Sequence, residues 1–193
     1  MKTGRKNMRS SIALHAVGLC LVIAGCKAST EQAKVADQPP LASANFEGLK
    51  KGSLPDNWMV RPAGYKAELQ EKGAPQGTKH MRLSYQQFAP AKFGNFMCKI
   101  PADRLGGKTV VFSGKLRAAT PGAMAQMWIR VDRSNGQTGG FDNMVDRPVT
   151  SDKWQDIEIK MLVDSDASAL AFGVMSTNRG VIEFDDLKVE IAK

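Results

Sequence analysis

From about Ala44 onward, apolar and polar residues alternate in short segments separated by clusters of Gly, Pro, Asn and Asp. A two-residue period between turn-forming clusters is the pattern of half-buried strands. It predicts strands near 44–47, 57–62, 65–71, 79–86, 93–100, 108–118, 123–133, 154–163, 168–176 and 180–191. No segment sustains a 3.6-residue apolar period, and the one helical candidate is a single turn over 101–105. The expected class is therefore all-β, an antiparallel β-sandwich.

The alternation also assigns faces. Val110, Phe112 and Leu116 point one way, while Ser113, Lys115 and Arg117 point the other. Met127, Ile129 and Val131 face the core, which puts Gln126, Trp128, Arg130 and Asp132 together on the opposite face. Over 155–163 the odd positions are apolar, and Asp156, Glu158 and Lys160 are solvated. In the last strand Ile182 and Phe184 hold one phase and Leu187, Val189 and Ile191 the other. A β-bulge at Asp185-Asp186 would keep both sets on the core side and splay the two carboxylates.

The first 42 residues differ. Lys2, Arg5, Lys6 and Arg9 precede an apolar run from Ile12 to Gly25, which ends in small residues before Cys26. The run is 14 residues long, short of the roughly 20 that span a bilayer. Leu21-Val22-Ile23-Ala24-Gly25-Cys26 resembles a bacterial lipoprotein processing box. That resemblance implies a signal peptide over 1–25, with cleavage before Cys26 and lipidation of its sulfur and amine. A short buried helix ending in an ordinary cysteine is the alternative. Residues 26–42, rich in Ala, Ser, Gln and Lys with Pro39-Pro40, read as the lipidated Cys and a flexible linker. Some 15 extended residues reach on the order of 50 Å. One sandwich domain is expected over 43–193.

Export changes the reading of charge and thiols. The whole 193-residue chain carries +8, but the signal accounts for four cations, leaving 23 basic against 19 acidic residues. With no basic stripe interleaved with aromatics, nucleic acid is not an expected partner. Cys20 leaves with the signal and Cys26 is lipidated, so Cys98 has no disulfide partner. In the alternating segment 95–100 it reads as a buried, inert thiol rather than a reactive one.

Catalytic patterns are scarce. Beyond the signal the sole histidine is His80, read as a solvated strand residue, which excludes a two- or three-histidine metal site. No Gly-x-Ser-x-Gly accompanies it. Gly136 to Gly140 follow a strand without a helix pattern behind them and read as a hairpin loop, not a phosphate cradle. The chain is thus not expected to be an enzyme, although carboxylate-based hydrolysis stays open.

Asn45-Phe46-Glu47-Gly48 with Leu54-Pro55-Asp56-Asn57-Trp58, Gly106 to Arg117, and Gly180 to Glu190 together resemble the galactose-binding-like jelly rolls, including many carbohydrate-binding modules. The resemblance covers 44–191. It implies a structural calcium held by Glu47 and Asp185, the matching acids of its first and last strands. Carboxylates suit such a hard cation, but surface acids paired with Lys or Arg are the alternative reading.

A ligand site is placed at Trp128 and Arg130 with Asp142, Asn143 and Arg147 on the neighbouring loop, where an indole beside a guanidinium can stack on a sugar ring. Against it stands a bland arrangement. In that reading a long loop covers this face, Trp128 packs under Asn143-Met144, and Arg147 pairs with Asp132 or Asp142. The sequence therefore points to a lipid-anchored envelope lipoprotein that binds a glycan or peptidoglycan without catalysis. The alternative is a structural or adaptor lipoprotein docking another envelope protein through the sandwich face. Lys27 after the lipidated cysteine resembles outer-membrane sorting, facing the periplasm or the exterior.

Overall fold

The structure, a computed structural model, describes residues 39–86 and 92–193. The signal segment, Cys26 and most of the linker lie outside the described residues. Two antiparallel sheets pack face to face. The first contains β1 (Ala42–Ala44), β3 (Tyr65–Gln70), β4 (His80–Tyr85), β6 (Thr109–Ala118), β9 (Gln155–Leu162) and β11 (Ile182–Ile191), in the order β3-β4-β11-β6-β9 with β1 added to β11. The second has the order β2-β5-β10-β7-β8, from β2 (Trp58–Arg61), β5 (Gly94–Pro101), β7 (Ala125–Arg133), β8 (Thr138–Asp142) and β10 (Ala167–Ser176). The described residues contain no helix, and the expected all-β sandwich stands.

The faces follow the alternation. Val110, Phe112 and Leu116 meet Met127, Ile129 and Val131 in one core, all of them fully buried. An aromatic group fills one part of it: Trp58 stacks on Phe96 at 4.8 Å, and Phe46 meets Phe96 and Phe184 edge-on at 6.1 and 5.9 Å. Aromatic rings bury large apolar areas and prefer such offset or edge geometries. Cys98 lies in this core, and burial pushes its thiol up.

The phase slip in β11 is a bulge. Asp185 pairs with Lys115 and Lys188 with Ser113, so Asp186 and Leu187 together oppose Gly114, and Asp186 takes a φ of 50°. Gly114 leaves room for the bulge: a Cβ there would lie 2.6 Å from a methyl of Leu187, which would have to move. The bulge returns Leu187 and Val189 to the core. Along its other edge β11 pairs end to end with β4 through 182–184 and with β1 through 187–189.

Four expectations need correction. The first strand covers Ala42–Ala44 rather than 44–47, because Phe46 turns into the left-handed region (φ 63°) to bury its ring. Over 101–105 there is no helix: Pro101 ends β5, and the turn that starts at Asp103 is closed by a Leu105 N–H bond to the Ala102 oxygen of 2.9 Å. Of the segment read as a hairpin loop over 136–140, Gly136 and Gln137 lie in the connection after β7, but residues 138–140 begin β8, whose main chain pairs with β7. His80 is not solvated but 1% exposed, since Trp154 packs edge-on against it at 5.3 Å and Glu183 lies beside it.

Candidate functional site

Core-facing residues of β5, β7 and β10 leave their alternate neighbours on the outer face of the second sheet. There they line a cleft of about 680 Å³. Its floor holds Asn95 and Met97 from β5, Gln126 and Trp128 from β7, and Met175 from β10. Phe93, Phe141 and Val145 stand at its rim, 47%, 53% and 71% exposed.

The floor is buried but not satisfied. Asn95 donates to the Arg61 oxygen at 3.0 Å and Gln126 to the Asn143 oxygen at 2.9 Å. The remaining Oδ1 of Asn95, Oε1 of Gln126 and Nε1 of Trp128 are buried and find no hydrogen-bond partner among the described residues. A buried polar group left unpaired costs about 1–3 kcal/mol, so three around one cleft mark a surface shaped for something other than stability. Lys92 and Arg130 also line the cleft, and among the described residues no carboxylate does.

The structure brings together three of the five residues placed at the site by sequence. Trp128, Arg130 and Asn143 line the cleft, whereas Asp142 and Arg147 do not. Trp128 is only 8% exposed. Arg130 is held by Asp132 at 2.6 Å, and Lys99 reaches the same carboxylate at 2.8 Å. The Arg130 bond, opposed by partial burial and joined by Lys99, keeps the Asp132 carboxyl below its usual range. Arg147 pairs with Asp142 at 2.5 Å and Asp146 at 2.8 Å. Burial works against the Asp142 anion, but the Arg147 guanidinium and the Met144 N–H outweigh it and lower its pKa. Met144 turns inward, 3% exposed, and its sulfur accepts the Met127 N–H.

Sequence reasoning missed Asn95, Gln126 as a ligand-facing group, and the rim residues Phe93, Phe141 and Val145. Gln126 was legible as a polar residue on the Trp128 face. Phe141 was not, because β8 was not recognised as a strand.

Glu47 and Asp185 do not share a calcium cage. One Glu47 oxygen accepts the N–H groups of Thr78 and Lys79, and the other accepts the Thr78 hydroxyl, all at 2.8 Å. The Lys79 ammonium donates to the main-chain oxygens of Glu47 and Leu49 at 3.1 and 2.9 Å. Oxygens that a cation would need near Glu47 are thus engaged, and Lys79 supplies the positive charge. Among the described residues no three His, Cys, Asp or Glu side chains are grouped to hold a metal. The residues present fit an ammonium at this place, not a calcium.

Across the molecule, the outer face of the first sheet carries paired charges. Buried Glu183 receives Arg82 at 2.6 Å and Arg117 at 2.5 Å, and Arg117 lies over the Trp154 ring at 4.7 Å. Lys115–Asp156, Lys160–Glu158 and Lys188–Glu190 continue the pattern.

No protein-family profile matches the chain. Solved structures do resemble it. The CBM22-1 xylan-binding domain of Xyn10C from Paenibacillus barcinonensis superposes with a TM-score of 0.61 at 20% identity, covering 80% of this chain and 96% of that one. The C-terminal family 22 carbohydrate-binding module of Clostridium thermocellum Xyn10B gives 0.62 at 15% identity, over 79% and 94%. A Stig cyclase from Fischerella, in complex with an indole-bearing ligand, gives 0.57 at 9% identity, over 77% and 92%. These likenesses define a shared fold, the β-sandwich of carbohydrate-binding modules. In sequence, 100 residues are 29% identical to an uncharacterized HTH-type transcriptional regulator, YbfP of Bacillus subtilis. That match takes in 51% of this chain and 34% of YbfP, so the chain spans about a third of that relative's length.

Proposed function

We propose that this chain is a non-catalytic glycan-binding module, carried to the cell envelope and held there by a lipid on Cys26. The observation that carries the binding reading is the cleft over β5, β10 and β7, with unpaired polar atoms in its floor and exposed Phe93 and Phe141 at its rim. Aromatic rims offer faces to the C–H surfaces of sugar rings, and floor amides supply hydrogen bonds to their substituents. Xylan binding by the family 22 domains of the same fold supports a glycan as ligand. The lipid anchor rests on the Leu21 to Cys26 motif, with outer-membrane placement following from Lys27.

The test is titration of the full-length chain in detergent with xylan, glucan and peptidoglycan fragments, read by tryptophan fluorescence. A saturable change that Phe141→Ala weakens supports the reading; a folded protein indifferent to the whole panel overturns it. Acyl labelling in cells addresses the anchor separately, since Cys26→Ser should abolish label and membrane retention together. The apolar rim also favours a second reading, an adaptor that docks an envelope protein through Phe93, Phe141 and Val145.

A further inference from the structure

We infer that the cleft selects sugars bearing an acetamido group, a specificity that rests on the glycan-binding reading. Three features of the cleft converge on that substituent. First, its floor offers one unpaired donor, the Trp128 Nε1–H, and two unpaired acceptors, Gln126 Oε1 and Asn95 Oδ1. A secondary amide carries one acceptor and one donor, so its carbonyl can take the indole N–H while its N–H reaches a floor amide oxygen. Second, Met97, Met124 and Met175 line the same cleft and make it apolar, which suits a methyl group. Third, among the described residues no carboxylate lines the cleft.

The third feature separates sugar classes. Carboxylates are acceptor-only groups able to take two hydroxyl donors at once, and a hydroxyl-rich ring makes the most of them. Here the acceptors are few, and the cationic groups Lys92 and Arg130 can only donate. An acetamido group carries its donor and its acceptor on separate atoms and adds a methyl, so it can meet the indole N–H, a floor amide oxygen and the apolar lining together, which a single hydroxyl does not. The floor atoms are closed to bulk water, yet methionine side chains are unbranched and readily repacked. They can part to admit a small planar substituent and close over its methyl.

The experiment compares two β-1,4-linked tetramers, of N-acetylglucosamine and of glucose, which differ only in the acetamido groups. Both are titrated calorimetrically into the full-length chain in detergent. Tighter binding of the acetylated tetramer by about tenfold or more is expected, because a site built to hydrogen-bond a group rejects the analogue lacking it. Trp128→Phe keeps an aromatic ring, though a smaller one, and removes the N–H; it should reduce that preference about 5- to 10-fold while near-ultraviolet circular dichroism of the cleft variant stays that of a folded protein. Equal or stronger binding of the glucose tetramer overturns the acetamido inference and leaves glycan binding standing. Binding of neither tetramer, nor of xylan or peptidoglycan fragments, overturns both.

Discussion

Trp128 stands directly opposite Gly173 across the β7–β10 ladder. On its other side Gly173 pairs with Met97, so a residue without a side chain separates two that line the cleft floor. Its backbone neighbours are as close as its side-chain ones: a Cβ on Gly173 would sit 2.3 Å from the Phe96 oxygen and 2.8 Å from the Met97 Cα. Neither atom belongs to a flexible side-chain end, so the strands would have to shift. Gly173→Ala should therefore lower stability by about 1–3 kcal/mol, measured by urea unfolding, and disturb binding with it. An unchanged midpoint would show that β5 can yield.

Rim and floor should separate in their effects. Phe93→Ala and Phe141→Ala remove exposed rings, so unfolding midpoints should move by less than about 0.5 kcal/mol. Ligand affinity should fall by about 1 kcal/mol for each, the worth of a lost aromatic contact. Calorimetric titration beside thermal melts checks both numbers at once.

Arg147 is expected to matter little to binding. Its guanidinium is committed to Asp142 and Asp146 and lies outside the cleft lining. Arg147→Ala should leave affinity within twofold and cost about 0–1 kcal/mol of stability, as exposed pairs do. A large loss of affinity would relocate the site toward the 142–147 loop.

Glu183 should make the domain acid-sensitive. Burial opposes its charge, but bonds from His80, Arg82 and Arg117 pull its pKa from 4.5 down to about 2. A depressed folded-state pKa means stability fully present above 4.5 and lost as pH falls toward 2. Glu183→Gln should cost about 2–4 kcal/mol at pH 7, leaving two arginines facing each other without an anion. The cost should shrink below pH 4, which urea unfolding at pH 7 and pH 3 would detect.

Asp185 works in the opposite direction. Burial raises its pKa from 3.8 to about 6; the Asp186 N–H and nearby His80 lower it, and the charges of Asp186 and Glu47 raise it. Its Oδ2 has no partner. Ionised above pH 6, it burdens the fold, and the burden is relieved as pH falls through 6 and gone below 3.8. Asp185→Asn should stabilise by roughly 1–3 kcal/mol at pH 8 and by nothing near pH 4. A destabilised variant at pH 8 would mean that the carboxylate has a partner such as a cation.

Most of the strands, their faces and the bulge at Asp185-Asp186 were legible because each depends on the sequence within a few residues: alternation decides which side chains a strand buries. Trp128 and Arg130 were placed on the cleft side by the same rule, and Asn143 by its position on the loop that follows. What lay beyond it arose from contacts between distant segments. The strand β8 exists because β7 offers it a pairing edge, and its own Gly139 and Gly140 carry no alternating signal. His80 is buried because Trp154, 74 positions away, covers it. Lys79 meets the oxygens of Glu47 and Leu49 because two turns are packed side by side. The unpaired atoms of Asn95, Gln126 and Trp128 share one cleft only once β5 and β7 flank β10. Local periodicity thus determined the class of fold and the faces of its strands. Only the packing of the two sheets decided which polar groups lost their water and which found partners, since burial and hydrogen bonding depend on neighbours that no local stretch of sequence contains.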